Sequence, residues 1–207
     1  QISKPYITED EVKAASDVLR SGQLSQGPIV KEFEEAFARY CDVKYAIAVN
    51  NGTAALHCAL FALGIKPGDE IITTPFTFVA TANSIIMQGA KPVFADISEE
   101  DFNLDVKSVE RRITSKTKAI MPVDLFGQIY NVEAFRTLAQ KRNLKIIEDA
   151  CQAVAAEYHG RKAGNFGEAA AFSLYATKNI TAGIGGVVTT NDEDVMKKVK
   201  LFRHHGQ

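Results

Sequence analysis

Residues 131–152 read NVEAFRTLAQKRNLKIIEDACQ, and this stretch decides the fold. Val132, Phe135, Leu138 and Ala139 recur at spacings of three and four, which marks one apolar face of a helix. Asn131 stands where a helix cap belongs. The run Leu144 to Glu148 follows at once, short and apolar, and reads as a buried strand. It closes on Glu148-Asp149, carboxylates at the point where a buried strand emerges.

The same succession extends in both directions. Further strands are predicted at Tyr45 to Val49, Glu70 to Thr74, Pro92 to Asp96, Thr117 to Val123, Ala169 to Leu174 and Gly186 to Thr190. Helical spacing marks residues 8–20, 28–41, 53–63, 78–88, 105–112, 132–142 and 193–204. Thr8 with Glu11 has the capping-box spacing, Asp192 is placed to cap the last helix, and Gly64 to Asp69 turns a helix into a strand. Strands alternating with helices predict an α/β fold, a three-layer α/β/α domain around a mostly parallel seven-stranded sheet. No repeat or linker divides the chain.

Composition agrees with that reading. The chain has 207 residues, 46% hydrophobic and 24% charged, with a formal net charge of −1. Balanced charge predicts no nucleic-acid partner, and no apolar run approaches the roughly 18 residues of a membrane span. Three widely spaced cysteines form neither a disulfide framework nor a metal-binding pattern, so a cytoplasmic location and no metal are expected.

In open α/β sheets, ligands sit at the carboxyl ends of the strands. Four such ends carry candidate residues. Asn50-Asn51-Gly52-Thr53-Ala54-Ala55 offers backbone amides and a hydroxyl at a helix start, a setting that suits phosphate. Glu148-Asp149 offers a carboxylate, with Gln152 three residues on. Ser173 to Asn179 carries Lys178 in a small-residue loop before Gly183-Ile184-Gly185-Gly186. Thr74 to Val79 offers Phe78 as a flat apolar face. Each alone has a plainer reading: a capped turn, an N-cap, a solvated lysine, a core aromatic. Together they make an anion cradle, a carboxylate, an amine and an aromatic face, the set that pyridoxal 5'-phosphate requires. A Rossmann nucleotide site would need Gly-x-Gly-x-x-Gly, which Asn50 to Ala55 does not provide.

Longer motifs carry a resemblance. Ile2 to Ile7, Ser21-Gly22, Gly27-Pro28, Asn51 to His57, Pro75 to Phe78, Asp124 to Gln128, Glu148 to Ala153, Ala176 to Asn179 and Arg203 to Gly206 follow in order. The chain thereby resembles the DegT/StrS-type pyridoxal-phosphate-dependent nucleotide-sugar aminotransferases, of the fold-type-I aminotransferase superfamily.

The resemblance implies that residues 1–207 form the cofactor-binding large domain, with the family's smaller C-terminal domain absent. It implies that Lys178 bonds the cofactor and carries protons, and that Asp149 holds the pyridine nitrogen protonated. Gln152 is then expected beside the phenolic oxygen and Phe78 against the ring. Gly52, Thr53 and Ser173 are expected around the phosphate, with Ala54 also among the cofactor-binding residues. The implied substrates are an amino-acid donor, glutamate foremost, and a nucleotide-linked keto-sugar. The implied assembly is a homodimer with shared active sites. The alternatives are a non-catalytic or regulatory relative and a sugar dehydratase, which carries His where this chain has Lys178. Three positions depart from the family pattern: Ile184 for Glu, Cys151 for Ala and Asp124 for His.

Overall fold

The computed structural model describes residues 4–206, so Ile2-Ser3 of the opening motif lie outside the described residues. Among the described residues, seven helices and nine strands follow one another, beginning with α1 (Glu9–Ser21), α2 (Pro28–Cys41), β1 (Tyr45–Val49), α3 (Gly52–Ala62), β2 (Glu70–Thr73), α4 (Ala80–Met87), β3 (Lys91–Phe94) and α5 (Val106–Arg112). Then come β4 (Thr117–Ile120), a 3-10 turn at Leu125–Gly127, α6 (Val132–Arg142), β5 (Lys145–Asp149), β6 (Glu157–Tyr158), β7 (Arg161–Lys162), β8 (Ala169–Ser173), β9 (Gly186–Thr190) and α7 (Glu193–Arg203).

Seven strands make one sheet in the order β1-β9-β8-β5-β4-β2-β3, while β6 and β7 form a separate hairpin. Six of the seven run parallel, and β9 runs against both β1 and β8. The exception has a physical reason. A parallel connection needs a crossover, usually a helix, and the chain between β8 and β9 has none. Pro92 sits in β3 at the sheet's edge, where its missing N–H leaves no ladder bond unmade.

Strand residues alternate between two apolar layers. Ile72, Ile120, Ile146, Ala170, Phe172 and Val187 face α2, α5 and α6, joining Phe37, Val109 and Phe135. Ile71, Ala119, Ile147, Ala169, Ala171 and Val188 face α3, α4 and α7, joining Leu56, Ile85 and Val199. Period-two alternation between helices on both faces is the three-layer α/β/α arrangement. It also sends the adjacent carboxylates of Glu148 and Asp149 to opposite faces.

Several elements are shorter than the sequence spacing predicts. β4 ends at Ile120 because Pro122 cannot donate to a neighbour; Val123 then rejoins Asp149 through a single bridge. Phe78 and Val79 precede α4 rather than opening it.

Candidate active site

A cavity of about 290 Å³ opens at the carboxyl ends of β5 and β8, between the starts of α3 and α4. Its lining includes Gly52, Thr53, Phe78, Asp149, Gln152, Ser173 and Lys178. A larger hollow of about 1410 Å³ lies beside Lys118, Lys145 and Gly167 and holds none of the candidate residues.

The start of α3 is built for close approach. Asn51 caps the helix by accepting the Ala54 N–H at 2.8 Å. That bond takes up Ala54, which is not in the cavity wall, so the Gly52 and Thr53 amides are the ones at the opening. A Cβ on Gly52 would stand 2.8 Å from Ser173 Cβ and 3.0 Å from Cys151 Sγ. The missing side chain is therefore what brings this backbone against Ser173. Beneath it, a Cβ on Gly186 would stand 2.4 Å from the Asn51 carbonyl oxygen.

Asp149 ends β5 and is 3% exposed. Its Oδ2 accepts the Thr81 hydroxyl at 2.7 Å, and Oδ1 accepts the Cys151 N–H at 3.2 Å. Burial pushes its pKa up, against the downward pull of those bonds and of the Lys178 charge. A carboxylate has about four acceptor positions, so this one keeps capacity for a donor in the cavity.

Lys178 is half-buried in the loop after β8, its N–H bonded to the Tyr175 carbonyl at 2.9 Å. Gln152 Oε1 accepts the Phe126 N–H at 3.0 Å, which leaves its Nε2 as a donor for the cavity. Phe78 is 67% exposed and presents a ring at the mouth. Cys151 sits beside Asp149 and sends its thiol to the Ala171 carbonyl; burial and the neighbouring carboxylate push its pKa up.

Sequence reasoning did not single out Thr81, Thr77, Tyr175 or Thr177, which also line the cavity. The available signal for Thr81 was a hydroxyl four residues after Thr77 in an otherwise apolar helix start. Asp124 lies apart from the cavity, on the other face of the sheet with Glu148 and Tyr130. Among the described residues, no three His, Cys, Asp or Glu side chains gather as a metal site.

Residues 5–207 match the DegT/DnrJ/EryC1/StrS aminotransferase family, and the chain belongs to it. It is 51% identical to GDP-perosamine synthase of Caulobacter vibrioides over 88% of this chain and 49% of that protein. It superimposes with a TM-score of 0.94 on PseC of Helicobacter pylori, an aminotransferase involved in the biosynthesis of pseudoaminic acid. The two are 41% identical over 100% of this chain and 56% of PseC. The Streptococcus pneumoniae protein Spr1654 in its PLP-form gives a TM-score of 0.94 at 32% identity, over 99% and 58% of the respective chains. The fold is that of the type I pyridoxal-phosphate aminotransferases. The chain spans about half the length of these relatives.

Proposed function

We propose that this chain is the cofactor-binding large domain of a pyridoxal-phosphate-dependent aminotransferase. The reaction moves an amino group from an amino acid, with glutamate as the expected donor, to a keto-sugar on a nucleotide carrier. One observation carries the reading: a buried carboxylate, a lysine amine and a glycine-opened helix start share a single cavity. The family and the relatives' names support it.

The residues fit the cofactor. Lacking a Cβ, Gly52 lets the α3 N-terminus lie against Ser173, and its amide with the Ser173 and Thr53 hydroxyls makes a donor set for a phosphate. Asp149 would hold a ring nitrogen in its protonated form, and Gln152 Nε2 would be the donor for a phenolic oxygen. Phe78 supplies an apolar face. When bound, pyridoxal phosphate supplies an electron-withdrawing ring that stabilises charge on the carbon losing its proton. Lys178 Nζ is the nucleophilic amine and the proton carrier: it accepts the α-proton of the donor and, in the second half-reaction, delivers a proton to the sugar carbon. The half-buried setting of Lys178 limits water at that exchange.

The exposed Phe78, Tyr175 and Ile184 rim the cavity, a surface that fits cover by a second copy of the chain, hence a homodimer. Three free thiols suit a reducing cytoplasm.

The test is borohydride reduction of the folded chain with pyridoxal phosphate, followed by peptide mass mapping. A pyridoxyl mass on Lys178, absent from Lys178→Ala, is the expected result. A folded chain with no such mass overturns the reading. For the substrates, glutamate is offered with a set of nucleotide-linked keto-sugars, and absence of any amino-sugar product removes that assignment.

A further inference from the structure

Thr81 is the second residue of α4 and is 1% exposed. Its hydroxyl lies 2.7 Å from Asp149 Oδ2 and 2.9 Å from the Thr77 hydroxyl, one turn earlier in sequence. A hydroxyl has one proton to donate, and an ionised carboxylate only accepts. With Asp149 charged, Thr81 must donate to it, and Thr77 must then donate to Thr81. The two hydroxyls thus form a chain with a fixed direction that ends on the carboxylate. The backbone holds the chain in place: Thr81 N–H reaches the Phe78 carbonyl at 3.1 Å, and Ser84 Oγ reaches the Thr81 carbonyl at 2.9 Å.

We propose that Thr81, itself oriented by Thr77, is the positioning residue for Asp149. It holds the carboxylate in one rotation and in its charged form before any ligand arrives. What that charge serves, a cationic ring nitrogen, rests on the function proposed above. Burial opposes the charged form, and the groups that face Asp149 divide. Lys178, from the loop after β8, favours the charge, as do the Thr81 hydroxyl and the Cys151 N–H. Asp124, across the sheet, carries like charge when ionised. The Cys151 thiol is held neutral. Thr81 is the one side chain of this set anchored in a helix and bonded directly to a carboxylate oxygen, so it controls rotation as well as charge.

The test uses the cofactor-free chain, in which the Asp149 carboxyl is followed by carbon-13 NMR and assigned with Asp149→Asn. Thr81→Val keeps the shape and removes the donor. Its Asp149 midpoint is expected above wild type, with pyridoxal phosphate bound roughly ten- to a hundredfold more weakly, the usual worth of one hydrogen bond to a charged group. Thr81→Ser restores the hydroxyl and is expected to return both measurements toward wild type. Thr77→Val, which leaves the Thr81 bond in place, is expected to fall between. An unshifted midpoint in folded Thr81→Val overturns the proposal, as does a folded Thr81→Ser that behaves like Thr81→Val. Midpoints that separate as expected, in a wild type that binds no pyridoxal phosphate, support the Thr81 role and overturn the cofactor reading alone.

Discussion

Gly186 has no room for a side chain. Its ideal Cβ would stand 2.4 Å and 2.5 Å from the carbonyl oxygen and carbon of Asn51, which are backbone atoms and cannot swing aside. Gly186→Ala is therefore expected to cost about 1–3 kcal/mol and to displace the start of α3, weakening any anion held there. Gly185→Ala, one residue earlier, meets nothing closer than 3.4 Å and is expected to stay within about 0.5 kcal/mol of wild type. Urea denaturation of the pair, with a cofactor titration of each, checks both expectations. The glycines, Lys178 and Asp149 were legible in the sequence because each breaks an apolar or extended pattern at a strand end. Thr81 was not, because a threonine near a helix start satisfies local rules whether or not a carboxylate lies above it. Ala54, expected among the cofactor-binding residues, has its N–H on the Asn51 cap.

Among the elements, β1 shows how an edge strand is closed without another strand. Antiparallel pairing to β9 leaves the Ala48 N–H and carbonyl pointing outward. Glu34 of α2 accepts the N–H at 2.9 Å, Arg203 of α7 donates to the carbonyl at 2.8 Å, and the two side chains pair with each other. Each is 11% exposed. Arg203→Met leaves a largely buried carboxylate alone and is expected to cost about 3–5 kcal/mol; Glu34→Met with Arg203→Met is expected to cost less than the two single changes added. A double-mutant cycle in urea measures the difference, and simple additivity would mean the ion pair does not couple α2 to α7. The helices and sheet strands were legible from period and punctuation because the sheet buries both faces of its strands. Two features were not. The hairpin of β6 and β7 has strands of two residues, too short to show any period. The turn at Leu125–Gly127 depends on a distant side chain, since Asn103 Nδ2 holds the Gln128 carbonyl at 2.9 Å.

For the molecule as a whole, the alternation of the sheet separates two acidic roles. Asp149 faces the cavity, whereas Glu148 faces the opposite layer, with its oxygens on the Gly164 and Phe166 N–H groups at 2.6 Å and 3.0 Å. Beside it lies Asp124, fully buried, its Oδ1 on the Tyr130 N–H at 3.3 Å. Asp124 Oδ2 and the Tyr130 hydroxyl have no hydrogen-bond partner among the described residues. Burial and then Glu148 push the Asp124 pKa well above the usual carboxylate range. Two buried carboxylates this close cannot both ionise cheaply, so Asp124 is the one that keeps the proton. The sign follows from proton counts. Above an unfolded value of about 3.9 the unfolded Asp124 has released its proton while the folded one has not. Stability from this group is thus complete below the unfolded value and is lost as pH rises through the folded one. Asp192 is held low by the Val195 and Asp194 N–H groups and contributes the opposite slope, but equally in any variant at position 124. Asp124→Asn keeps the shape of the side chain and removes its titration. Unfolding free energies from the acid range to neutrality are therefore expected to fall less steeply with pH in Asp124→Asn than in wild type. Parallel curves would mean that Asp124 is ionised in the native state and that Glu148 carries the shared proton.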